Sequence, residues 1–159
     1  MASGMLEFKD DLFVNQDFTV MGYTGEWPFK MRRFIPSLFK EKLEVSGSHI
    51  FPKYIGWDKT DGTFKGKWMA EKKVDRWSKL EFLVWCWGVQ DNGTRGWMKA
   101  KTAGFLKTQY LYANSIQKSM WYSYSLIFYD NQRVKHAERG RLLAIEIWEE
   151  IQRRYGIRK

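Results

Sequence analysis

The segment EFLVWCWGVQ, residues 81–90, constrains the fold more than any other part of the chain. Seven of its ten residues are Phe, Leu, Val, Trp or Cys, and they do not alternate with polar residues. A β-strand with one face in water would alternate, whereas a strand covered on both faces would not. We therefore predict a strand with a core face and a second face on which Trp85 and Trp87 form an interface. This second face is expected to be covered by another segment of the chain, such as residues 7–15, by a second copy of the protein, or by a membrane or ligand.

Length and composition favour a single folded domain. The chain has 159 residues, of which 44% are hydrophobic, with 9 Trp, 8 Tyr and 11 Phe. A chain of this length fits one domain and can bury a sizeable core. We assign the domain to residues 5–159 and interpret residues 1–4, MASG, as an addition that precedes a native Met5.

The sequence patterns predict strands, then short helices, then hairpins. DFTVMGYT, residues 17–24, alternates as a strand does. Pro36 and apolar residues at helical spacing predict one or two short helices in residues 28–42. Strands follow, with hairpin turn signals at Asp61-Gly62 and Asn92-Gly93.

The end of the chain predicts one more strand and a long helix. The aromatic-rich segment SMWYSYSLIFYD, residues 119–130, is predicted as the last strand. Apolar residues then recur at intervals of three and four between a cap at Asp130 or Asn131 and a C-terminal Gly156. This spacing predicts an amphipathic helix.

Together these elements predict an α+β fold: a curved antiparallel sheet of about six strands, short helices after the first strand, and a long C-terminal helix packed on the sheet. The order of elements over residues 17–155 resembles the helix-grip architecture of START-type lipid-binding and polyketide-cyclase-like domains. Cystatin-like folds, which have a shorter sheet and one packed helix, are the alternative. The helix-grip resemblance implies an apolar pocket for a lipid-like or aromatic small molecule between the sheet and the last helix. The pocket residues are Phe82, Val84, Met98, Tyr122, Tyr124 and Trp148.

The charge balance favours anionic partners. With 27 basic and 18 acidic residues the net charge is +9, which attracts phosphates. Trp97 alternates with Lys99 and Lys101, and aromatic and basic residues together bind single-stranded nucleic acid. An anionic membrane surface and a lysine-rich surface without a specific partner are the alternatives. We expect the basic residues near positions 30–33 and 133–141 to meet. The candidate nucleic-acid or anionic surface consists of Lys30, Arg32, Arg33, Trp97, Lys99, Lys101, Arg133 and Arg141.

No catalytic, cofactor or metal site is predicted, and an enzyme is the least supported class. The sequence has no nucleophile, phosphate-loop or dinucleotide motif. Its only His and Cys residues are His49, His136 and Cys86, without metal-ligand spacing. We expect Cys86 to be buried, His49 to make a local polar contact and His136 to face solvent.

The sequence also predicts a cytoplasmic location without a transmembrane segment. A single cysteine cannot form an internal disulfide, no signal peptide precedes the domain, and no run of 18 apolar residues occurs. Three functions are therefore weighed: a binding domain with an apolar pocket, a nucleic-acid-binding module, and a structural or homodimeric protein that uses the Trp85/Trp87 face.

Overall fold

One antiparallel sheet with helices on one of its faces makes up the part of the chain that the computed structural model describes, residues 3–13, 21–90 and 94–155. The strands are β1 Gly4–Asp11, β2 Met21–Glu26, β3 Ile50–Trp57, β4 Thr63–Lys73, β5 Ser78–Gln90 and β6 Arg95–Tyr112. The helices are α1 Met31–Leu43, α2 Ser115–Tyr124 and α3 Asp130–Arg154, with short 3-10 helices at Pro28–Lys30 and Gly47–His49. The predicted α+β class, with short helices early and a long helix last, is confirmed.

The longest strand, β6, organises the sheet. The strand order is β1-β6-β5-β4-β3, and β2 also pairs with β6. β1 pairs with residues 105–112 of β6 and β2 pairs with residues 95–100, so the two share one edge of β6. At about 3.3 Å per residue, the 18 residues of β6 span roughly 60 Å, which is long enough for both partners.

The core lies between one face of the sheet, here called the inner face, and the helices α1 and α3. Ala144, Ile147 and Ile151 of α3 are buried at the i, i+3, i+7 spacing of a single helix face. Ile35 and Phe39 of α1 are fully buried against the same core. The predicted packing of the terminal amphipathic helix on the sheet is therefore confirmed.

Residues 119–130, predicted as a strand, are helical. α2, a π-helical turn at Ser125–Tyr129 and α3 form one continuous helical segment. The side chain of Asn114 caps α2 by accepting a hydrogen bond from the backbone N–H of Gln117 at 2.8 Å. The β-favouring aromatic residues of this segment pack helically on the sheet, so tertiary contacts override their propensity. The predicted helix start at Asp130 or Asn131 is consequently wrong as well.

The N-terminal part also differs from the prediction. Residues 7–11, expected as part of a cover over the tryptophans, belong to the edge strand β1. The strand predicted at residues 17–24 is seen as β2 from Met21 onward, and residues 17–20 lie outside the described residues. The Asn92-Gly93 turn and the Gly156 cap also lie outside them.

Candidate nucleic-acid interface

Two cross-strand rows on the outer face of the sheet each place a tryptophan between two lysines. The register pairs Trp85 of β5 with Lys67 of β4 and with Lys101 of β6. Two residues further along β5, Trp87 pairs with Lys65 and with Lys99. Directly opposite residues in a sheet have neighbouring side chains, so each indole lies between two lysine side chains. We call these six residues, together with Trp97, the Trp–Lys surface.

Trp97 extends this surface at its end. Trp97 lies opposite Val89 of β5 and Thr24 of β2. The two strands are very close here: a Cβ atom at Gly88 would lie 2.0 Å from the carbonyl oxygen of Trp97. Only glycine therefore permits this strand spacing between Trp87 and Trp97. The interface residues predicted on β5 and the basic residues predicted on β6 thus form one surface.

The aromatic rings of the Trp–Lys surface are partly exposed and lie beside the cations. The ammonium of Lys67 is 4.9 Å from the centre of the Trp85 ring, and that of Lys101 is 6.0 Å from it. Both distances are in the range of cation–π attraction. Trp87 and Trp97 are 37% and 40% exposed. With Tyr54 of β3, the surface borders a groove of about 330 Å³.

Acidic residues lie toward both ends of the outer face. At one end, Lys79 and Lys107 neutralise Glu71 and Glu81 at 2.9 and 3.0 Å. At the other end, beyond Trp97, the register places Glu26 opposite Arg95. Within the described ranges no carboxylate lies within 4.0 Å of Lys65, Lys67 or Lys99. No carboxylate of the described residues therefore neutralises Lys65, Lys67 or Lys99.

No helix of the described part covers the Trp–Lys surface. Phe39 of α1 and Ile147 of α3 pack on the inner-face residues Phe82 and Val84. Trp121 of α2 stacks on Tyr110, another inner-face residue. The exposure of Trp87 and Trp97 shows that solvent or a partner can reach this part of the outer face, whereas Leu83 and Ala103, further along the same face, are buried.

The other predicted basic residues lie elsewhere. Lys30, Arg32 and Arg33 surround a separate pocket at the end of the sheet. Arg133 is paired with Asp10 at 3.2 Å and with Asp130 at 3.4 Å. Arg141 is exposed on α3.

The two basic stretches do not meet, contrary to expectation. The guanidinium of Arg154, at the end of α3, covers the ring of Phe34, beside Arg33 in sequence. Arg133 precedes Arg154 by 21 residues of the same helix, about 32 Å at 1.5 Å per residue. The basic residues therefore form separate groups.

The residues assigned to an apolar pocket are not gathered around a cavity. Phe82, Val84 and Met98 are buried in the core. The void that Phe82 and Val84 border beneath α3 is about 170 Å³ in total, and no part of it has room for a water molecule.

The three remaining pocket residues lie on the helices. Tyr122 packs on Phe8, and Tyr124 contacts Trp77 in an aromatic cluster. Trp148 is half-buried on α3. An apolar ligand would have to open the interior in order to enter it.

Sequence analysis missed a polar network around Asp75, in the turn between β4 and β5. The Asp75 carboxylate accepts hydrogen bonds from the Tyr129 hydroxyl and from the backbone N–H groups of Trp77 and Ser78. His136 Nε2 lies 2.9 Å from the same carboxylate. His136 is thus a partner of Asp75 with a side chain only 14% exposed, and the expectation that it faces solvent is wrong.

The network shifts two pKa values in opposite directions. Burial raises the pKa of Asp75, but the hydrogen bonds from Tyr129, Trp77, Ser78 and His136 outweigh it, so the pKa is lowered. Burial and the hydrogen bond to Asp75 raise the pKa of Tyr129. The network fastens the β4–β5 turn to the π-helical turn. The D-x-x-S spacing of Asp75 and Ser78, typical of a side chain that caps a turn, was its only signal.

An exposed apolar region on α2 and the π-helical turn was also missed, because this segment was predicted as a strand. Ile116, Met120, Ile127 and Phe128 are all about two-thirds exposed or more. Lys118 is the only charged residue between Ser115 and Tyr129. The side of the segment that faces away from the sheet is therefore also rich in apolar residues, and the segment lacks the polar face of an amphipathic helix.

Comparisons with known proteins place the chain in no family. No protein-family model matches the sequence, and a search of curated proteins found no match. None of the helices in the described residues is long and apolar enough to cross a bilayer. No group of three His, Cys, Asp or Glu side chains in the same residues could hold a metal ion.

Proposed function

We propose that this protein is a non-enzymatic module that binds single-stranded nucleic acid on its Trp–Lys surface. The observation that carries the proposal is the pair of rows in which Trp85 and Trp87 each lie between two lysines. Stacking of bases on aromatic side chains and neutralisation of phosphates by lysines are the two contributions that such binding needs. The chain's net charge of +9 favours the same partner.

The geometry favours a single strand over a duplex. Trp85 and Trp87 are two residues apart on one strand, so their rings are about 6.6 Å apart along β5. An unpaired base can lie against an indole ring, whereas the bases of a duplex are stacked on one another and offer only their edges. Phosphates between the bases would then meet the lysines of β4 and β6.

An anionic membrane is less well matched to this surface. Membrane insertion requires apolar side chains that protrude beyond the charged groups. Here the ammonium groups of Lys67 and Lys101 lie 4.9 and 6.0 Å from the centre of the Trp85 ring, and Trp87 is only 37% exposed. An apolar ligand in the interior stays a prediction, since the void that Phe82 and Val84 border has no room for a water molecule.

Fluorescence anisotropy of a labelled strand of about ten nucleotides tests the proposal. We expect the wild-type protein to bind the strand more tightly than a duplex of the same sequence. Trp87→Ala removes one stacking platform, so it should weaken binding about tenfold or more. Tyr122→Ala is the matched control, because Tyr122 is an exposed aromatic residue on α2.

Three results would contradict the proposal. The first is the absence of binding at low salt, and the second is an equal affinity of the Trp87→Ala variant and the wild type. The third is a loss of affinity in the Tyr122→Ala control as large as that in the Trp87→Ala variant. A parallel measurement with anionic vesicles separates the membrane alternative. Vesicle binding that Trp87→Ala abolishes, without any binding of the strand, would replace the proposed partner by a membrane.

A further inference from the structure

A second basic and aromatic site lies where β3 and β5 end, separate from the Trp–Lys surface. It is a pocket of about 230 Å³ between the start of α1 and the ends of these strands. Of the seven lining residues that the structure describes, three are aromatic, three are basic and none is acidic. The lining residues are Trp27, Phe29, Lys30, Arg32, Arg33, Trp57 and Gln90.

The aromatic walls of the pocket are fixed in place. The Phe29 ring lies 5.3 Å from that of Trp57 and 5.0 Å from that of Phe64. Trp27 has a left-handed backbone, with φ 54° and ψ 49°, although 41% of its surface is exposed. This conformation is uncommon for a bulky residue, and the hydrogen bond from the Trp27 N–H to the Thr94 carbonyl helps to hold it. Two indole rings therefore flank the opening.

In the described part of the chain, no carboxylate neutralises the cations of the pocket, since none lies within 4.0 Å of Lys30, Arg32 or Arg33. The N-terminus of α1 adds partial positive charge, since it has no side-chain cap and no acidic residue in its first turn. The Arg32 guanidinium lies 5.1 Å from the centre of the Phe29 ring, so charge and aromatic surface are adjacent.

The side chain of Gln90 gives the lining of the pocket a polar group. Gln90 is only 6% exposed and lines the pocket. Its side-chain oxygen accepts a hydrogen bond from the backbone N–H of Phe29 at 3.1 Å. Its side-chain nitrogen has no hydrogen-bond partner among the residues that the structure describes. This N–H group can donate to a ligand that supplies an acceptor.

We propose that this pocket binds the phosphate monoester of a nucleotide, and that its ligand is the terminal phosphate of the strand lying on the Trp–Lys surface. This inference rests on the proposed function. Arg32 and Arg33 would hold the dianionic phosphate, and the terminal base would lie against Trp27 or Trp57. Gln90 follows Trp87 by three residues on β5, about 10 Å, so one strand can reach both sites around the end of the sheet. A free nucleotide has the same chemistry and is the other source of the ligand.

A competition experiment distinguishes these sources. Unlabelled oligonucleotides of one sequence, with a 5′-phosphate, a 3′-phosphate or hydroxyls at both ends, compete with an internally labelled strand. UMP and uridine, titrated alone by calorimetry, form the free-nucleotide arm. The pocket variant is Arg32→Gln/Arg33→Gln, and the matched control is Arg139→Gln/Arg141→Gln. All four arginines are exposed, so both variants should fold.

We expect one of the phosphorylated ends to compete about tenfold better than the hydroxyl ends. The preference should be lost in the pocket variant and kept in the control. Equal competition by all three oligonucleotides would overturn the inference and leave the proposed function standing. If no oligonucleotide binds, the proposed function fails, and the free-nucleotide arm decides. A nucleotide pocket would then be supported if the wild type and the control bind UMP more tightly than uridine and the pocket variant does not. If the wild type does not prefer UMP, the nucleotide pocket is overturned.

Discussion

The salt dependence of binding depends directly on how many lysines of the Trp–Lys surface meet phosphates. Lys65, Lys67, Lys99 and Lys101 flank the two tryptophans of β5. For single strands, the logarithm of the binding constant falls with the logarithm of the salt concentration by about 0.7 per neutralised phosphate. Four contacts give a slope of about −2.8, which is roughly a 50-fold loss of affinity between about 50 and about 200 mM salt.

The double variant Lys65→Gln/Lys99→Gln removes both cations beside Trp87 and leaves those beside Trp85. We expect its slope to fall to about −1.4, so that the same change in salt weakens binding only about sevenfold. Anisotropy titrations at several salt concentrations, with a strand that has hydroxyl ends, measure both slopes. This strand excludes a contribution of the terminal-phosphate pocket.

A second double variant serves as the control for the loss of charge. Lys118→Gln/Lys135→Gln changes the net charge equally, and both lysines are exposed on the helices. Its slope should stay at the wild-type value. Equal slopes in the two double variants would refute the reasoning, because the salt effect would then come from overall charge and not from the lysines beside the tryptophans.

Three further predictions concern stability and reactivity. Ile147→Ala should cost about 2–5 kcal/mol of unfolding free energy in urea titrations, because Ile147 is 2% exposed under α3. Ile116→Ala, 74% exposed on α2, should stay within about 0.5 kcal/mol, and equal losses would contradict the packing. Burial raises the pKa of the Cys86 thiol to about 12, so a thiol reagent at pH 8 should modify it only after unfolding; rapid modification of the native protein would contradict its burial. The lowered pKa of Asp75 stabilises the fold above the ordinary carboxyl value of 3.8, and this contribution is lost as pH falls through the folded value. The loss of stability caused by Asp75→Asn, measured by thermal melting, should therefore be smaller in acid. A difference between wild type and variant that does not change with pH would contradict this expectation.

The fold was largely predictable from periodicity. The non-alternating segment of β5 predicts a strand with two covered faces, and its inner residues Phe82 and Val84 are indeed core. The spacing of Ala144, Ile147 and Ile151 likewise predicted the helix on the sheet. Both signals are local, since a single element contains the whole pattern.

The helix α2 could not be predicted because its local signal points the other way. Aromatic and apolar residues in residues 119–130 favour a strand, and the exposed Ile127 and Phe128 remove the amphipathic pattern that would indicate a helix. Contacts with distant residues decide the outcome. Trp121 stacks on Tyr110 and donates a hydrogen bond to the Leu111 carbonyl.

The candidate site was predicted in pieces. Trp85 and Trp87 were expected at an interface, and Trp97, Lys99 and Lys101 at a basic surface, without a link between the two sets. The link is the register of β5 with its neighbours, which sequence patterns alone do not determine. Arg133 was assigned to the basic surface but is paired with Asp10. This pairing depends on β1, a strand that was not predicted.

The nine indole N–H groups allow the most direct test of where nucleic acid binds. An NMR spectrum of protein with ¹⁵N-labelled tryptophan resolves each indole, and titration with a hydroxyl-ended strand shows which ones change. The account predicts shifts for Trp85, Trp87 and Trp97, and none for the buried Trp68 or for Trp121 on α2. Shifts at Trp121 with Trp85, Trp87 and Trp97 unchanged would contradict it, because the strand would then occupy the helical side of the molecule.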